Sequence, residues 1–227
     1  MIDVTHIDHM GTDLSVVNAA RVSFGKKSTW AGQEDGLDDG EGGMGVLNDA
    51  DSKLIKYLAK HKHMSPFGHA FASFHVKAPV FVARQLVKHK FLRWNEISRR
   101  YVDSEPEFYE PVEWRGRSED KKQGSAGLVS LSSKGGAASH SYLHALQSYA
   151  TLLDEGVCPE QARMVLPQST MTEWYWSGSL DAFADMCKLR TTDDTQYETR
   201  VAAVLLSNKM LEVFPVSWYE LLRDKRR

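Results

Sequence analysis

The densest set of ligand-binding side chains lies between residues 88 and 100, Lys-His-Lys-Phe-Leu-Arg-Trp-Asn-Glu-Ile-Ser-Arg-Arg. Five cations, a histidine, a serine and an asparagine share that stretch with a single carboxylate, Glu96. The whole chain carries a formal charge of -2, so this positive patch is local. Cations beside hydroxyl and amide donors suit a phosphate-bearing ligand, whose ionised oxygens accept several charge-assisted hydrogen bonds together. The same pattern is compatible with a solvated basic strip, or with a nucleic-acid surface on which Trp94 and Phe91 stack against bases.

Two isolated arginines lie further on. Arg163 belongs to Gln161-Ala162-Arg163-Met164-Val165-Leu166-Pro167, a short helix that Pro167 ends. Arg190 closes a later helix behind Lys188. A single arginine in an apolar setting usually pairs with a carboxylate, whereas convergence of both with the 88–100 stretch would build an anion site. Other chemistries are less well supported. His61, His63, His69, His75 and His89 fall within thirty residues, but no cysteine is near, and Lys60, Lys62, Lys88 and Lys90 would oppose a dication, so no metal is expected. Gly40-Glu41-Gly42-Gly43-Met44-Gly45 formally matches a dinucleotide fingerprint. No strand leads into it, and Asp38, Asp39 and Glu41 would repel a pyrophosphate, so it is set aside. Lys188 and Arg190 would favour a thiolate at Cys187, yet a lone cysteine in an apolar helix is most often packing, and packing is expected of both Cys158 and Cys187.

The chain resembles the flavin-dependent thymidylate synthases over nearly its whole length apart from residues 25–50 and 115–140. The family's signature, Arg-His-Arg, seven residues, then Ser, stands here as Lys88-His89-Lys90, seven residues, then Ser98. Matching segments follow in order: Ala19-Ala20-Arg21-Val22-Ser23, His63-Met64-Ser65-Pro66-Phe67, Phe74-His75-Val76-Lys77-Ala78-Pro79, Ala162-Arg163-Met164-Val165-Leu166-Pro167 and Leu189-Arg190. The resemblance implies conversion of dUMP to dTMP, with methylenetetrahydrofolate as carbon donor and FAD, replenished by NADPH, as reductant. It also implies a homotetramer with active sites at subunit junctions. Carried over position by position, dUMP would meet Gln85, Lys88, Glu96, Ser98, Arg99, Arg100, Arg163 and Arg190. The flavin would meet Ser23, His63, Ser65, Lys88, His89, Lys90, Phe91, Ser179, Asp185 and Leu189. Arg190 matches the residue that activates the pyrimidine. A permanently protonated guanidinium is a poor base, so its role would be to stabilise negative charge on the uracil ring and make C5 nucleophilic without a thiolate. Lysine for arginine at 88 and 90 exchanges a planar fork for a point charge. Gly68 and Asp185 replace an acid and an amide, and Asp194 stands where a flavin-contacting histidine is common.

These side chains need a scaffold. At 227 residues with 42% hydrophobic and 26% charged composition, the chain can bury a substantial core. A single domain over 1–227 is expected, with surface-loop insertions at 25–50 and 115–140. Asn48 should cap a helix carrying Leu54, Ile55 and Leu58 on one face. Alternation over 70–77 places Ala70, Ala72, Phe74 and Val76 on one side of a half-buried strand. Pro79 should open the next helix in its first turn, with Arg84, Gln85, Lys88 and His89 on its polar face. A helix from about 141 to 155 should stop at Gly156. Capping boxes at Thr195/Glu198 and Ser217/Glu220 announce the last two helices. Strands and helices without regular alternation point to an α+β fold with a mixed or antiparallel sheet and several packed helices. Two cysteines, no visible secretory signal and no apolar run long enough to span a bilayer predict a cytoplasmic protein without membrane or nucleic-acid partners.

Overall fold

The computed structural model describes residues 1–32, 45–119, 124–131 and 136–223. The glycine-rich 40–45 match lies outside the described residues except for Gly45. In chain order the elements are β1 (Asp3–Met10), α1 (Asp13–Arg21), α2 (Asp49–Lys60), β2 (Phe71–Pro79), α3 (Val80–Leu86), β3 (Arg93–Glu96), β4 (Arg115–Arg117) and β5 (Ser125–Leu128). There follow α4 (Gly136–Asp154), α5 (Pro159–Ala162), β6 (Met171–Ser179), α6 (Leu180–Arg190), α7 (Tyr197–Val213) and α8 (Pro215–Arg223). The architecture is α+β. The main sheet has the order β1-β2-β6-β3 and is antiparallel throughout, and β4 and β5 pair separately. Among the described residues no helix is long and apolar enough to cross a membrane.

The period-2 alternation in β2 is realised as expected: Ala72, Phe74 and Val76 are buried, while Ser73, His75 and Lys77 lie on the outer face. β6 repeats the pattern with Trp174 and Trp176 inward and Glu173, Tyr175 and Ser177 outward. On the inner face Phe74 and Trp176 each meet the edge of Phe183 from α6, at ring centroid distances of 5.4 and 5.3 Å. Across the outer face the Ser73 and Ser177 hydroxyls lie 2.8 Å apart, and His75 Nε2 lies 3.0 Å from Glu173 Oε2. Asn48 caps α2 as expected, its side chain accepting from the Asp51 N–H at 2.9 Å.

Several local expectations are corrected. Pro79 ends β2 and stands as the N-cap of α3, one position earlier than expected, because the ladder to Met171 holds it extended. α3 stops at Leu86, so Lys88 and His89 leave the helical face and enter a turn that reverses the chain into β3. The second expected loop contains the β4–β5 pair, and α4 begins at Gly136 rather than 141. Gly156 closes α4 as expected, at φ 86°, with Val157 N–H donating to Leu152 O and Gly156 N–H to Leu153 O, both at 2.9 Å.

Neither expected capping box forms. Gln196 is the N-cap of α7, and the Thr195 hydroxyl turns back to Leu189 O at 3.1 Å. Ser217 sits inside α8, fully buried, its hydroxyl without a partner. α8 is capped instead by buried Asp13 from α1, whose carboxylate accepts from Val216 N–H at 2.9 Å and Ser217 N–H at 2.8 Å. These are charge-assisted bonds shielded from water, so Asp13→Ala should destabilise the protein by about 2–3 kcal/mol. Ser217→Ala removes a buried, unsatisfied hydroxyl and should change stability by less than about 0.5 kcal/mol, where a true cap would cost about 1 kcal/mol. Thermal melts of both variants at one protein concentration separate the two accounts.

Candidate active site

Arg190 ends α6, where a cation is favoured by the helix dipole. Its guanidinium is half-buried and donates from Nε to His89 Nε2 at 3.0 Å and from Nη2 to the Gln85 carbonyl at 3.1 Å. Burial, and secondarily the Arg190 charge, hold the His89 imidazole down at a pKa of about 4. His89 is therefore neutral near pH 7, accepts at Nε2 and carries its hydrogen on Nδ1. Burial also lowers the Arg190 pKa, without approaching deprotonation at any physiological pH. None of the ion pairs among the described residues involves Arg190.

The turn that delivers His89 depends on two backbone features. Phe91 adopts a left-handed φ of 64°, which is uncommon for an aromatic residue. Gly178 in β6 lets that turn cross the strand closely: a Cβ there would stand 2.4 Å from Leu92 Cδ2 and 3.2 Å from Phe91 O. Phe91 itself is 86% exposed.

Six of the eight residues expected to meet dUMP line two cavities within one chain. The first, about 750 Å³, is walled by Gln85, Lys88, Leu189 and Arg190 together with Tyr109 and Glu198. The second, about 450 Å³, gathers Glu96, Arg99 and Arg163 beside Arg84. Arg163 donates to Glu160 O at 3.2 Å and Arg99 to Ser104 O at 2.8 Å, while Glu96 accepts from the Thr172 hydroxyl at 2.7 Å and the Trp94 indole at 3.1 Å. Ser98 and Arg100 follow β3 in an adjoining turn, the hydroxyl accepting from Arg100 Nε at 3.1 Å.

A third cavity, about 880 Å³, contains Ser23, His63 and Ser65 from the expected flavin set. Sequence reasoning assigned no ligand role to its other wall residues, notably Arg21, Lys53 and Tyr57. Lys53 and Tyr57 lie four apart on α2 and so share a face, a spacing visible in the chain but weak without a partner surface. Arg21 is fixed by fully buried Asp51, which accepts its Nε at 3.0 Å and the Ser28 hydroxyl at 3.0 Å. Of the remaining expected flavin positions, Lys88 and Leu189 line the first cavity, and His89, Lys90, Phe91, Ser179 and Asp185 line none of the three. Ser179 is buried at the β6–α6 junction against Asp181, and exposed Asp185 faces Lys188 at 3.9 Å.

Two further expectations change. Cys187 packs in the core, but Cys158 is exposed ahead of α5 and so is not a packing residue. Neither cysteine lines any of the three cavities. Trp94 is not a free stacking surface: its ring lies on Trp174 with centroids 4.2 Å apart and planes at 19°. A nucleic-acid surface on the 88–100 strip would thus keep only Phe91 of its two aromatics.

This fold occurs in solved nucleotide-modifying enzymes. The UMP/dUMP methylase PolB from Streptomyces cacaoi, bound with 5-Br UMP, superimposes with a TM-score of 0.81 at 28% identity, over 98% of this chain and 94% of that one. Its 5-Br dUMP complex gives a TM-score of 0.77 at 29% identity. Residues 5–216 match the family model described as thymidylate synthase complementing protein, and the chain belongs to that family. The flavin-dependent thymidylate synthase of Thermus thermophilus is 38% identical over 93% of this chain and 72% of its own length. That of Thermosipho melanesiensis is 34% identical over 97% of this chain and 90% of its own.

The Arg190–His89 contact has a measurable signature. In an NMR titration of the native protein, His89 should protonate near pH 4, and Arg190→Ala should raise that value toward 6.5 by removing the cation and admitting water. The unfolded chain takes up this proton below about pH 6.5 and the native one only near 4. The contribution of His89 to stability is therefore complete above pH 6.5 and is lost as pH falls toward 4. His89→Gln should flatten the pH dependence of stability in that window.

Proposed function

We propose that the protein methylates dUMP to dTMP as a flavin-dependent thymidylate synthase, with methylenetetrahydrofolate as carbon donor and NADPH as reductant. The observation that carries this reading is Arg190: a half-buried guanidinium with no carboxylate partner among the described residues, anchored by neutral groups at a cavity wall. Such a preorganised donor stabilises negative charge developing on a uracil ring, which makes C5 nucleophilic. Gln85, Lys88 and Arg190 would face the nucleotide from the first cavity. Glu96, Ser98, Arg99, Arg100 and Arg163 would supply the remaining contacts, with arginine forks and the Ser98 hydroxyl suited to its phosphate.

The third cavity fits a flavin dinucleotide in its donor chemistry: serine hydroxyls for phosphate oxygens, Lys53 and Arg21 for their charge, and Tyr57 as an aromatic surface. FAD, when bound, supplies the hydride. Ser23, His63 and Ser65 would hold it there, with Lys88, His89, Lys90, Phe91, Ser179, Asp185 and Leu189 as further contacts, some drawn from neighbouring chains. The division of the nucleotide-binding set between two cavities supports a homotetramer in which adjoining subunits complete each site. So does the exposure of Met164 (76%) at the second cavity and of Phe91 (86%) and Tyr101 (77%) at either end of the 91–101 stretch, since apolar side chains of this size are normally covered. The whole of 1–227 is taken as one catalytic domain, working in the cytoplasm.

The purified protein should be yellow with bound FAD, bleach with NADPH, and form dTMP from dUMP and methylenetetrahydrofolate. A colourless preparation that neither takes up FAD nor makes dTMP would remove this reading. Arg190→Ala should lower kcat by about 10²–10³ while flavin absorbance is retained. The double variant Cys158→Ala/Cys187→Ala should still turn over, because no thiolate takes part. Loss of activity in a folded, flavin-loaded double variant would refute the thiol-free route.

A further inference from the structure

The Arg190 cavity has one wall that none of the expected ligand contacts includes. Arg115 opens β4 opposite Leu128, and Ser125 opens β5 opposite Arg117. The Arg115 guanidinium places Nη2 2.5 Å from Glu198 Oε1, donates from Nε to the Ser125 hydroxyl at 2.9 Å, and lies over the Tyr197 ring at 4.4 Å. Arg115, Ser125 and Glu198 all line the cavity that contains Arg190.

Glu198 is only 4% exposed, and its second oxygen, Oε2, is buried with no hydrogen-bond partner. A carboxylate so placed depends on its one cation, because removing that partner leaves an uncompensated buried charge. A well-packed apolar pair would stabilise the fold at least as well. A structural tie alone therefore does not account for an ion pair at this position, whereas a tie that shapes the cavity does.

A continuous set of contacts leads from this pair to Arg190. Glu198 belongs to the first turn of α7. Gln196, the residue that caps that helix, accepts from the Gln85 side chain. The Gln85 main-chain carbonyl in turn receives Arg190 Nη2 at 3.1 Å. The hairpin also packs on the turn after α6, where a Cβ at Gly124 would stand 3.5 Å from the Asp194 carbonyl oxygen.

We infer that Arg115 is a positioning residue for the Arg190 site: by clamping the β4–β5 pair onto Glu198 it fixes the wall that keeps water from Arg190 and registers the pyrimidine nucleotide against it. This rests on the function proposed above. Ser125 and Glu198 engage Nε and Nη2 of Arg115, and its guanidinium lies over Tyr197, so the role assigned to it is to hold the wall. It acts through the shape and dryness of the cavity.

Arg115→Ala alone would strand the Glu198 charge and risk unfolding, so the informative variant is Arg115→Met/Glu198→Gln, which removes the clamp and the charge together. Arg115→Lys, which keeps a cation opposite Glu198, is the rescue. The double variant should keep its melting temperature and flavin absorbance but raise KM for dUMP about tenfold or more, because misregistration of about 1 Å suffices for losses of that order. Arg115→Lys should recover only part of that loss, since the charge pair with Glu198 survives while the bond to Ser125 and the stacking on Tyr197 do not. As water enters, the His89 titration in the double variant should move up from about 4. A folded double variant with wild-type KM, or with His89 unmoved, overturns the inference. The His89 titration requires no turnover, so it tests the clamp even if the wild-type protein made no dTMP, a result that would remove the proposed function alone.

Discussion

The hydrogen bond from Arg190 to the unprotonated Nε2 of His89 constrains everything around it. An imidazolium has no lone pair to offer and would repel the guanidinium, so the contact exists only while His89 stays neutral. Neutrality comes from burial, and burial requires the turn after α3 to be pressed onto the sheet. That in turn requires an unusual φ at Phe91 and the missing side chain at Gly178. A local backbone conformation, a close strand crossing and a depressed pKa are thus three expressions of one requirement. The fold must present a cation whose neighbour cannot compete for an incoming anion.

The sheet supplies the geometry for this. β2 runs directly into α3 and β6 directly into α6, each helix beginning at the residue after its strand ends. Because β2 and β6 are antiparallel, the two helices start from opposite ends of the ladder. The 11 residues of α6 then rise about 16 Å, enough to carry Arg190 back to the end of α3, where Gln85 and His89 await it. Aromatic packing of Phe74 and Trp176 on Phe183 fixes the rotation of α6 about its own axis. Strand alternation and core packing thereby decide where a guanidinium some way along the chain emerges.

Elements governed by local periodicity were legible in the sequence: the α2 cap at Asn48, the alternation of β2, the stop at Gly156. What failed was whatever a distant residue decides. Thr195 and Ser217 have the spacing of capping residues, but Asp13, more than 200 positions away from Ser217, takes the role at α8. The polar face assigned to α3 continued through Lys88 and His89 because the spacing allows it, whereas pairing of β3 with β6 pulls the chain out of the helix first. The chemistry of the 88–100 stretch was readable from residue types, whereas the convergence of Arg190 upon it followed only from the family resemblance. The distribution of its members over separate cavities was not legible, because that depends on which strand edge each residue reaches. The β4–β5 pair was missed for a simpler reason: Arg115–Arg117 and Ser125–Leu128 contain almost no apolar alternation, because β5 is exposed along its length and β4 is tied to the rest of the chain by an ion pair and not by a hydrophobic face.

That distinction divides the arginines by what satisfies them. Arg21, Arg115, Arg200 and Arg223 are paired with carboxylates, at Asp51, Glu198, Asp193 and Glu220. Their charge is neutralised within the chain, and they serve to hold elements together. Arg99, Arg163 and Arg190 instead donate to main-chain carbonyls, Arg190 also to a neutral imidazole, and Arg100 donates to the Ser98 hydroxyl. Neutral acceptors fix a guanidinium's direction without cancelling its charge, so the full Coulombic attraction remains for an anion that arrives later. The four arginines held by neutral acceptors in this way are those proposed to meet the nucleotide. A guanidinium held by neutral acceptors keeps its charge for a ligand, which is the part proposed for these four at the nucleotide's phosphate and uracil ring.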